Sequence, residues 1–231
     1  MKKIINIIIL MTLAAGCFGQ QFLARGEDLL RRNQPAHALE FLAQAMADDP
    51  ANAVTYIYIG IAYEQLGRTE EAIAIYRRAL PIAGNLTANI ASNLGNVYFI
   101  RGNIDMAEQY YTQAINSNAV YSSAYLGRAN SRVKLGSYQN ALTDYEHYLT
   151  LEPRAVQRDN IERLIRTIRA EQAAEEMRRI IAEEEARRLA EERQRLLDAV
   201  SASLQSAADA SRGISFGTES VEGYEGEFEL E

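Results

Sequence analysis

The sequence is poor in the residues that usually build catalytic centres, metal sites and disulfides. It has one cysteine, two histidines and no tryptophan among 231 residues. A single cysteine excludes an intramolecular disulfide. The histidines, His37 and His147, lie far apart in sequence with no evident third ligand, and neither a phosphate-binding glycine loop nor a nucleophile motif occurs. The chain is therefore predicted to be no enzyme and to carry no cofactor and no metal.

Lysine is also rare, and acidic residues outnumber basic ones by 31 to 24. The net charge is −7 at pH 7, and only Lys2, Lys3 and Lys134 of the 24 basic residues are lysines. Nucleic-acid binding depends on a basic surface that neutralises phosphates, so no nucleic-acid partner is predicted. Hydrophobic residues make up 48% of the chain, which is enough for one ordinary domain with extensions.

The first 17 residues have the composition of a secretory signal. A basic start precedes an apolar run that is too short to span a bilayer as a helix. The following LAAGC resembles the lipobox of bacterial lipoproteins, although Ala14 stands where leucine is commonest. This resemblance implies removal of residues 1–16 and lipidation of Cys17, with residues 17–18 as the lipidated N-terminus. Ordinary cleavage near Gly19 is the alternative.

Lipidation of Cys17 would place the protein in the bacterial cell envelope. Two or more acyl chains would anchor it stably, since each buried methylene contributes ~0.8 kcal/mol. The aspartate that retains many enterobacterial lipoproteins in the inner membrane does not follow the cysteine. By that resemblance, we expect the periplasmic face of the outer membrane.

A pattern of small, aromatic and turn residues recurs every 34 or 35 residues. Four repeat positions carry it, occupied by Gly26, Gly60, Gly95 and Ala129; by Ala38, Ala72, Ala107 and Ala141; by Leu42, Tyr76, Tyr111 and Tyr145; and by Asn33, Gly67, Gly102 and Gly136. The spacing predicts two amphipathic helices in each copy, joined at a residue that tolerates positive φ. Thr69 is expected to cap the second helix of the second copy.

This pattern resembles the tetratricopeptide repeat, a 34-residue helix–turn–helix unit. The resemblance implies an all-α fold, a right-handed superhelical solenoid of about four repeats over residues 19–155. The predicted repeats are 19–52, 53–87, 88–121 and 122–155. Arg25, Arg128 and Arg132 depart from the family pattern, and we interpret the first and fourth repeats, which contain them, as the atypical, solvent-facing ends of the array.

The resemblance also implies that the first helices of the repeats line a groove that binds a partner peptide. Counting within each repeat gives a predicted peptide-binding groove of Tyr58, Ile61, Asn89, Asn93, Asn96, Asn130 and Lys134, with Glu27, Leu30, Arg31, Ile57, Glu64, Ser92, Phe99, Ser123 and Leu126 beside them. An asparagine amide can donate to and accept from a peptide bond at once. Asn93, Asn96 and Asn130 are therefore predicted to hold an extended backbone, although asparagine is also simply common in the family at the last two positions.

Residues 156–205 are rich in alanine, glutamate and arginine, which are strong helix formers. Their start is predicted to form a capping helix on the fourth repeat, through Ile161, Leu164, Ile165 and Ile168. The remainder is predicted to be a long charged helix or weak coiled coil, supported by pairs such as Glu175 with Arg179. Its broken apolar seam consists of Met177, Ile180, Ile181, Leu189, Leu196, Leu197, Val200 and Leu204. Homo-oligomerisation through 170–205 stays open, and 206–231 is predicted to be a disordered acidic tail.

These features together predict an envelope-anchored scaffold or adaptor for protein–protein interaction. Its partners would be other envelope proteins, each contributing a peptide segment to the groove, in the assembly of a membrane or cell-wall complex. One alternative is an accessory solute-binding lipoprotein with a small apolar ligand beside Tyr58, Ile61 and Phe99. Another is a structural oligomer built on the long helix.

Overall fold

A computed structural model describes residues 19–214 of the chain, with side chains to residue 212. This described part is helical and contains no β-strand. Its helices are α1 (19–31), α2 (Pro35–Asp48), α3 (Ala53–Gln65), α4 (Thr69–Ala79), α5 (Thr87–Ile100), α6 (Ile104–Ser117), α7 (Ser122–Lys134), α8 (Tyr138–Leu151) and α9 (Arg158–Ile214). Two short 3₁₀ turns, Leu80–Ile82 and Gly84–Leu86, connect α4 to α5.

The first eight helices form four consecutive hairpins, so the predicted all-α repeat fold is confirmed. From α2 to α8 each helix packs against the next one along the chain, and α5 also contacts α7 directly. One continuous hydrophobic core runs through the hairpins. Because successive hairpins share this core, none of them has to bury its apolar faces alone.

A residue with positive φ ends the first helix of each hairpin, as the sequence predicts. The φ angles are 56° at Asn33, 69° at Gly67, 80° at Gly102 and 74° at Gly136. After α3, the backbone N–H of Arg68 donates to the carbonyl of Tyr63 at 2.8 Å. This bond satisfies a carbonyl that the helix end leaves without a partner, and equivalent bonds close the other three turns.

The predicted cap at Thr69 is wrong. Thr69 is the first residue of α4, and Arg68 occupies the cap position, where its side chain makes no capping hydrogen bond to the helix backbone. The helix start is instead supported by the acidic residues Glu70 and Glu71 in its first turn. Their charge is favourable next to the exposed N–H groups at a helix N-terminus.

The recurring small residues lie where an aromatic ring of the second helix meets the first helix. A Cβ added at Gly60 would lie 2.3 Å from ring atoms of Tyr76, and one at Gly95 would lie 2.7 Å from ring atoms of Tyr111. Gly127 contacts the ring of Tyr111 from the next repeat, where an added Cβ would come within 2.4 Å. The small and aromatic residues that recur in the sequence are therefore the residues that pack the two helices of a hairpin together.

The described chain divides into two compact units, residues 19–168 and residues 169–214. The first unit contains the hairpins and the first turns of α9, where Ile161, Ile165 and Ile168 are buried in the common core. Leu164 is partly buried against that core. The first turns of α9 therefore pack through these four residues against the core of the hairpins.

The second unit is the remainder of α9, which is helical throughout and continues to Ile214. Residues 206–214, predicted to belong to a disordered tail, are thus part of the helix; residues 215–231 lie outside the described part. Arg179 pairs with Glu176 at 2.7 Å and Glu183 at 3.7 Å rather than with Glu175. These ion pairs are exposed, so each adds little to stability.

Candidate functional site

All seven predicted groove residues lie on first helices of the repeats, on α3, α5 and α7. Asn96 and Lys134 are exposed and the other five are half-buried. We call this set the first-helix surface: Tyr58, Ile61, Asn89, Asn93, Asn96, Asn130 and Lys134. Whether a peptide binds there stays a prediction, but every one of these side chains can be reached from solvent.

Three further residues that were predicted to line the groove are buried inside the protein instead. Leu30, Ile57 and Ser92 are only 6%, 8% and 3% exposed. Leu30 and Ile57 belong to the hydrophobic core between the hairpins. Counting positions within a repeat assigned these residues to the groove, but the apolar stripe that a helix buries is wide and includes them.

Asn96 and Asn130 each form the same hydrogen bond, one repeat apart. The hydroxyl of Tyr111 donates to Asn96 Oδ1, and the hydroxyl of Tyr145 donates to Asn130 Oδ1, both at 2.7 Å. These bonds fix the orientation of both amides. Within the described residues neither Nδ2 has a hydrogen-bond partner, so both N–H pairs remain as oriented donors.

Asn93 differs from the other two asparagines. Its Nδ2 donates to Asn89 Oδ1 at 3.3 Å, and its side chain lies close enough to the Tyr76 hydroxyl to act against the rise in the pKa of that group. The amide of Asn93 therefore donates inside the protein, unlike those of Asn96 and Asn130. The sequence predicts the same function for all three asparagines, but their hydrogen bonds to neighbouring side chains differ.

In the second repeat a glutamate takes the place of the asparagine as the acceptor. Ile61 stands at the repeat position of Asn96 and cannot accept a hydrogen bond, and the Tyr76 hydroxyl donates instead to Glu64 Oε1, one turn further along α3. Burial raises the pKa of the Glu64 carboxyl, and the hydrogen bond from Tyr76 lowers it to a smaller extent.

The three tyrosines of this hydrogen-bonding pattern remain protonated donors at neutral pH. Burial raises the pKa of Tyr145 to about 12. Burial and then the Glu64 charge raise the pKa of Tyr76 and that of Tyr111 still further above the usual range. A protonated hydroxyl is required to hold each amide or carboxylate acceptor in its orientation.

Contacts between successive first helices extend the surface in both directions. At one end Tyr58 lies beside Glu27 of α1: partial burial, and then the Glu27 carboxylate, raise the pKa of the Tyr58 hydroxyl. At the other end Lys134 Nζ lies 5.5 Å from the ring centroid of Phe99, a cation–π contact. The surface thus carries carboxylates toward the first repeat and an ammonium group toward the fourth.

A buried ionic cluster joins the third and fourth repeats. The Asp144 side chain is 1% exposed and receives Arg128 Nε at 2.8 Å, Arg128 Nη2 at 2.7 Å and Arg132 Nη1 at 2.8 Å. Arg132 also reaches Glu108 of α6 at 2.7 Å, and Arg128 donates to Thr112 at 3.2 Å. These bonds satisfy both carboxylate oxygens, as a buried charge requires.

Although they depart from the family pattern in a terminal repeat, Arg128 and Arg132 do not face solvent, and Asp144 is the physical reason. Their side chains are 13% and 18% exposed because both point at that carboxylate. Arg25 of the first repeat is 52% exposed. The signal was present in the sequence, since Asp144 stands at a repeat position filled elsewhere by Ile75 and Tyr110.

Neither a metal-ligand cluster nor a membrane-spanning helix is found within the described residues. Between residues 19 and 212, no three histidine, cysteine, aspartate or glutamate side chains lie close enough to hold a metal ion. None of the helices from α1 to α9 is long and apolar enough to cross a membrane. Cys17, the predicted lipidation site, lies outside the described residues.

Stacked helical hairpins with an amide-lined first-helix surface define a helical repeat solenoid. Two family models, both described as tetratricopeptide repeat, match residues 51–118 and 92–156. Residues 51–156 therefore match the tetratricopeptide repeat, which confirms the predicted resemblance to that family.

The similar proteins share the repeat array with this chain. A probable UDP-N-acetylglucosamine–peptide N-acetylglucosaminyltransferase, SPINDLY of Hordeum vulgare, is 28% identical over 133 residues, 55% of this chain and 14% of that protein. Protein O-mannosyl-transferase TMTC3 of Homo sapiens is 30% identical over 129 residues, 50% of this chain and 14% of its own length. The chain thus spans about a seventh of the curated relatives that it matches, so their activities are not carried over to it.

Solved structures show the same fold. The crystal structure of MamA protein superposes with a TM-score of 0.57 at 19% identity, covering 66% of this chain and 83% of MamA. Pseudomonas aeruginosa pilF superposes with a TM-score of 0.57 at 18% identity, covering 62% of this chain and 64% of pilF. At these identities the likeness establishes the fold alone.

Proposed function

We propose that this protein is a scaffold that binds a peptide segment of a partner protein on the first-helix surface. The observation that carries the proposal is the pair of oriented amides: Tyr111 and Tyr145 hold the carbonyl oxygens of Asn96 and Asn130, which leaves both Nδ2 groups free to donate. Two amide N–H groups one repeat apart can donate to carbonyl oxygens of an extended peptide, whatever the side chains of that peptide are. The repeat family and the solenoid fold are consistent with such a role.

Removing both oriented donors is expected to weaken partner binding about tenfold or more. Each hydrogen bond to a neutral acceptor contributes roughly 1 kcal/mol, and the Asn96→Ala/Asn130→Ala variant loses two of them. The measurement is a crosslinking pull-down from the native membrane, followed by titration of the recovered partner against both proteins.

The matched control replaces two exposed asparagines on second helices, Asn116 on α6 and Asn140 on α8, with alanine. This control is expected to retain the partner at the wild-type level. Recovery of the same partner at the same affinity with Asn96→Ala/Asn130→Ala would contradict binding through the amides.

We further propose that the scaffold is anchored in the bacterial cell envelope through lipidated Cys17, with other envelope proteins as its partners. The support is in the sequence: the sole cysteine of the chain falls at the end of a signal-like segment. Assembly of a membrane or cell-wall complex, on the periplasmic face of the outer membrane, is the role that this location suggests.

The Cys17→Ser variant is expected to leave the membrane fraction, because the anchoring acyl chains can no longer be attached. Fractionation of cells, with mass spectrometry of the mature N-terminus, measures both the location and the modification. A wild-type mature protein that begins after residue 17, or an unmodified cysteine in the membrane-bound form, would contradict the anchor.

A second candidate function is a structural oligomer built on α9. The observation in its favour is the apolar seam, whose members Leu189, Leu196, Leu197, Val200 and Leu204 are 53–67% exposed. Exposed leucines repeated along one helix usually contact a partner helix.

Sedimentation at several protein concentrations tests this candidate. A chain that self-associates through the seam is expected to dissociate when Leu196 and Val200 are replaced by glutamate, since charge in a helix–helix seam opposes burial. The control Ala199→Glu changes an exposed position between them. A wild-type chain that stays monomeric at every concentration would rule this candidate out.

A further inference from the structure

Within the described residues, the Glu64 carboxylate accepts a hydrogen bond only from a tyrosine hydroxyl and pairs with no basic side chain. It is half-buried on α3, and its Oε1 accepts the hydrogen bond of Tyr76. Among the described residues no arginine or lysine forms an ion pair with it. By contrast, Glu27 on the neighbouring first helix lies 3.9 Å from Arg31.

The surroundings of Glu64 supply neutral donors but no positive charge. Tyr76 of α4 donates to it, Asn93 of α5 lies close to that same hydroxyl, and Tyr111 of α6 lies close enough for the Glu64 charge to raise its pKa. Burial raises the pKa of Glu64 itself, and no cation acts against that rise. A carboxylate offers about four lone-pair sites, of which Tyr76 uses one.

Three basic residues on or near the first helices have other contacts. Arg31 is near Glu27 on α1, Lys134 lies over the Phe99 ring, and Arg68 at the end of the second-repeat turn pairs with Glu71 at 2.6 Å. A carboxylate withdrawn from water usually has a cationic partner. Within the described residues Glu64 has no such partner, so a cation of a bound peptide can take that position.

We infer that Glu64 receives the ammonium or guanidinium group of a lysine or arginine in the bound peptide. The inference rests on the proposed function and adds the partner chemistry: a basic side chain at Glu64 on α3, and backbone carbonyls at Asn96 and Asn130 on α5 and α7. A charge-assisted bond at one point gives the otherwise sequence-tolerant amide contacts a preference.

The C-terminal segment of the chain itself is a poor match for this occupant. Residues 215–231 contain six glutamates and neither lysine nor arginine. Their charge would be repelled at Glu64, so a peptide of another protein is the occupant that charge complementarity favours.

Selection of random peptides on the intact protein tests the inference. Peptides retained by the wild type are expected to be enriched in lysine or arginine at one position, and those retained by Glu64→Gln are expected to lose that enrichment. Glutamine keeps an oxygen that can accept from Tyr76, so matching thermal unfolding curves will show that the fold is intact. The control is Glu40→Gln, which changes an exposed acid on α2 and should retain the preference.

The strongest selected peptide then gives the quantitative result. Replacing its basic residue by norleucine is expected to weaken binding to the wild type about tenfold, as is Glu64→Gln with the original peptide; combined, the two changes should weaken it little further. Additive losses, or peptides with no basic preference, would overturn the Glu64 subsite while leaving the peptide-binding surface in place. Failure of the wild type to retain any peptide would overturn both.

Discussion

Replacing Asp144 with alanine is expected to lower the free energy of unfolding by about 3–5 kcal/mol. The substitution leaves the guanidinium groups of Arg128 and Arg132 partly buried without the carboxylate that receives three of their N–H groups. Glu108 can compensate only Arg132, to which it is already bonded. Because the cluster joins α6, α7 and α8, its loss should loosen the contact between the third and fourth repeats.

Urea unfolding followed by circular dichroism measures this loss. The Asp144→Asn variant should fall between the wild type and alanine, since the amide retains one acceptor but carries no charge. Glu40→Ala, at an exposed position on α2, is the control and should change the unfolding free energy by no more than about 0.5 kcal/mol. A loss below about 1 kcal/mol for Asp144→Ala would mean that the cluster contributes little.

Replacing Tyr76 with alanine is expected to cost about 3–5 kcal/mol of unfolding free energy, as for other large aromatic side chains in a core. Tyr76 is completely buried, and its ring fills the space against Gly60 of the facing helix. The substitution creates a cavity at the centre of the second hairpin. It also removes the only hydrogen-bond donor of Glu64 among the described residues.

The Tyr76→Phe variant separates these two contributions. It keeps the ring and removes the hydroxyl, so Glu64 loses its donor, at an expected cost of about 1–3 kcal/mol. The control Tyr138→Ala truncates a 44%-exposed tyrosine on α8 and should have a much smaller effect in the same urea titration. Equal losses for Tyr76→Phe and Tyr76→Ala would contradict a packing role for the ring.

The sequence predicts the architecture because the contacts that hold each hairpin together recur at a fixed spacing. Gly60 and Tyr76 lie 16 residues apart and touch, as do Gly95 and Tyr111. A small residue and an aromatic residue that recur at this spacing therefore predict a packing contact between the two helices of a hairpin. The turn positions can also be predicted from the sequence, since positive φ favours glycine and asparagine and these residues recur there.

Interactions that occur in only one repeat are harder to predict from the sequence. Arg128 and Arg132 look like exposed departures from the pattern until Asp144, on the following helix, is seen to receive both. Likewise, Asn93 and Asn96 are the same residue type on one helix, but Asn93 donates to Asn89 whereas Asn96 accepts from Tyr111. A periodic pattern describes what repeats have in common, so it passes over pairs that occur once.

The central claim, that a partner binds on the first-helix surface, is tested most directly by site-specific photo-crosslinking. A photoreactive residue is placed in turn at Ile61 on α3, at Phe99 on α5, and at two exposed second-helix positions, Ala74 on α4 and Gln109 on α6. Crosslinks to the retained partner from Ile61 and Phe99, with none from Ala74 or Gln109, are the predicted result. Crosslinks confined to Ala74 and Gln109 would contradict it.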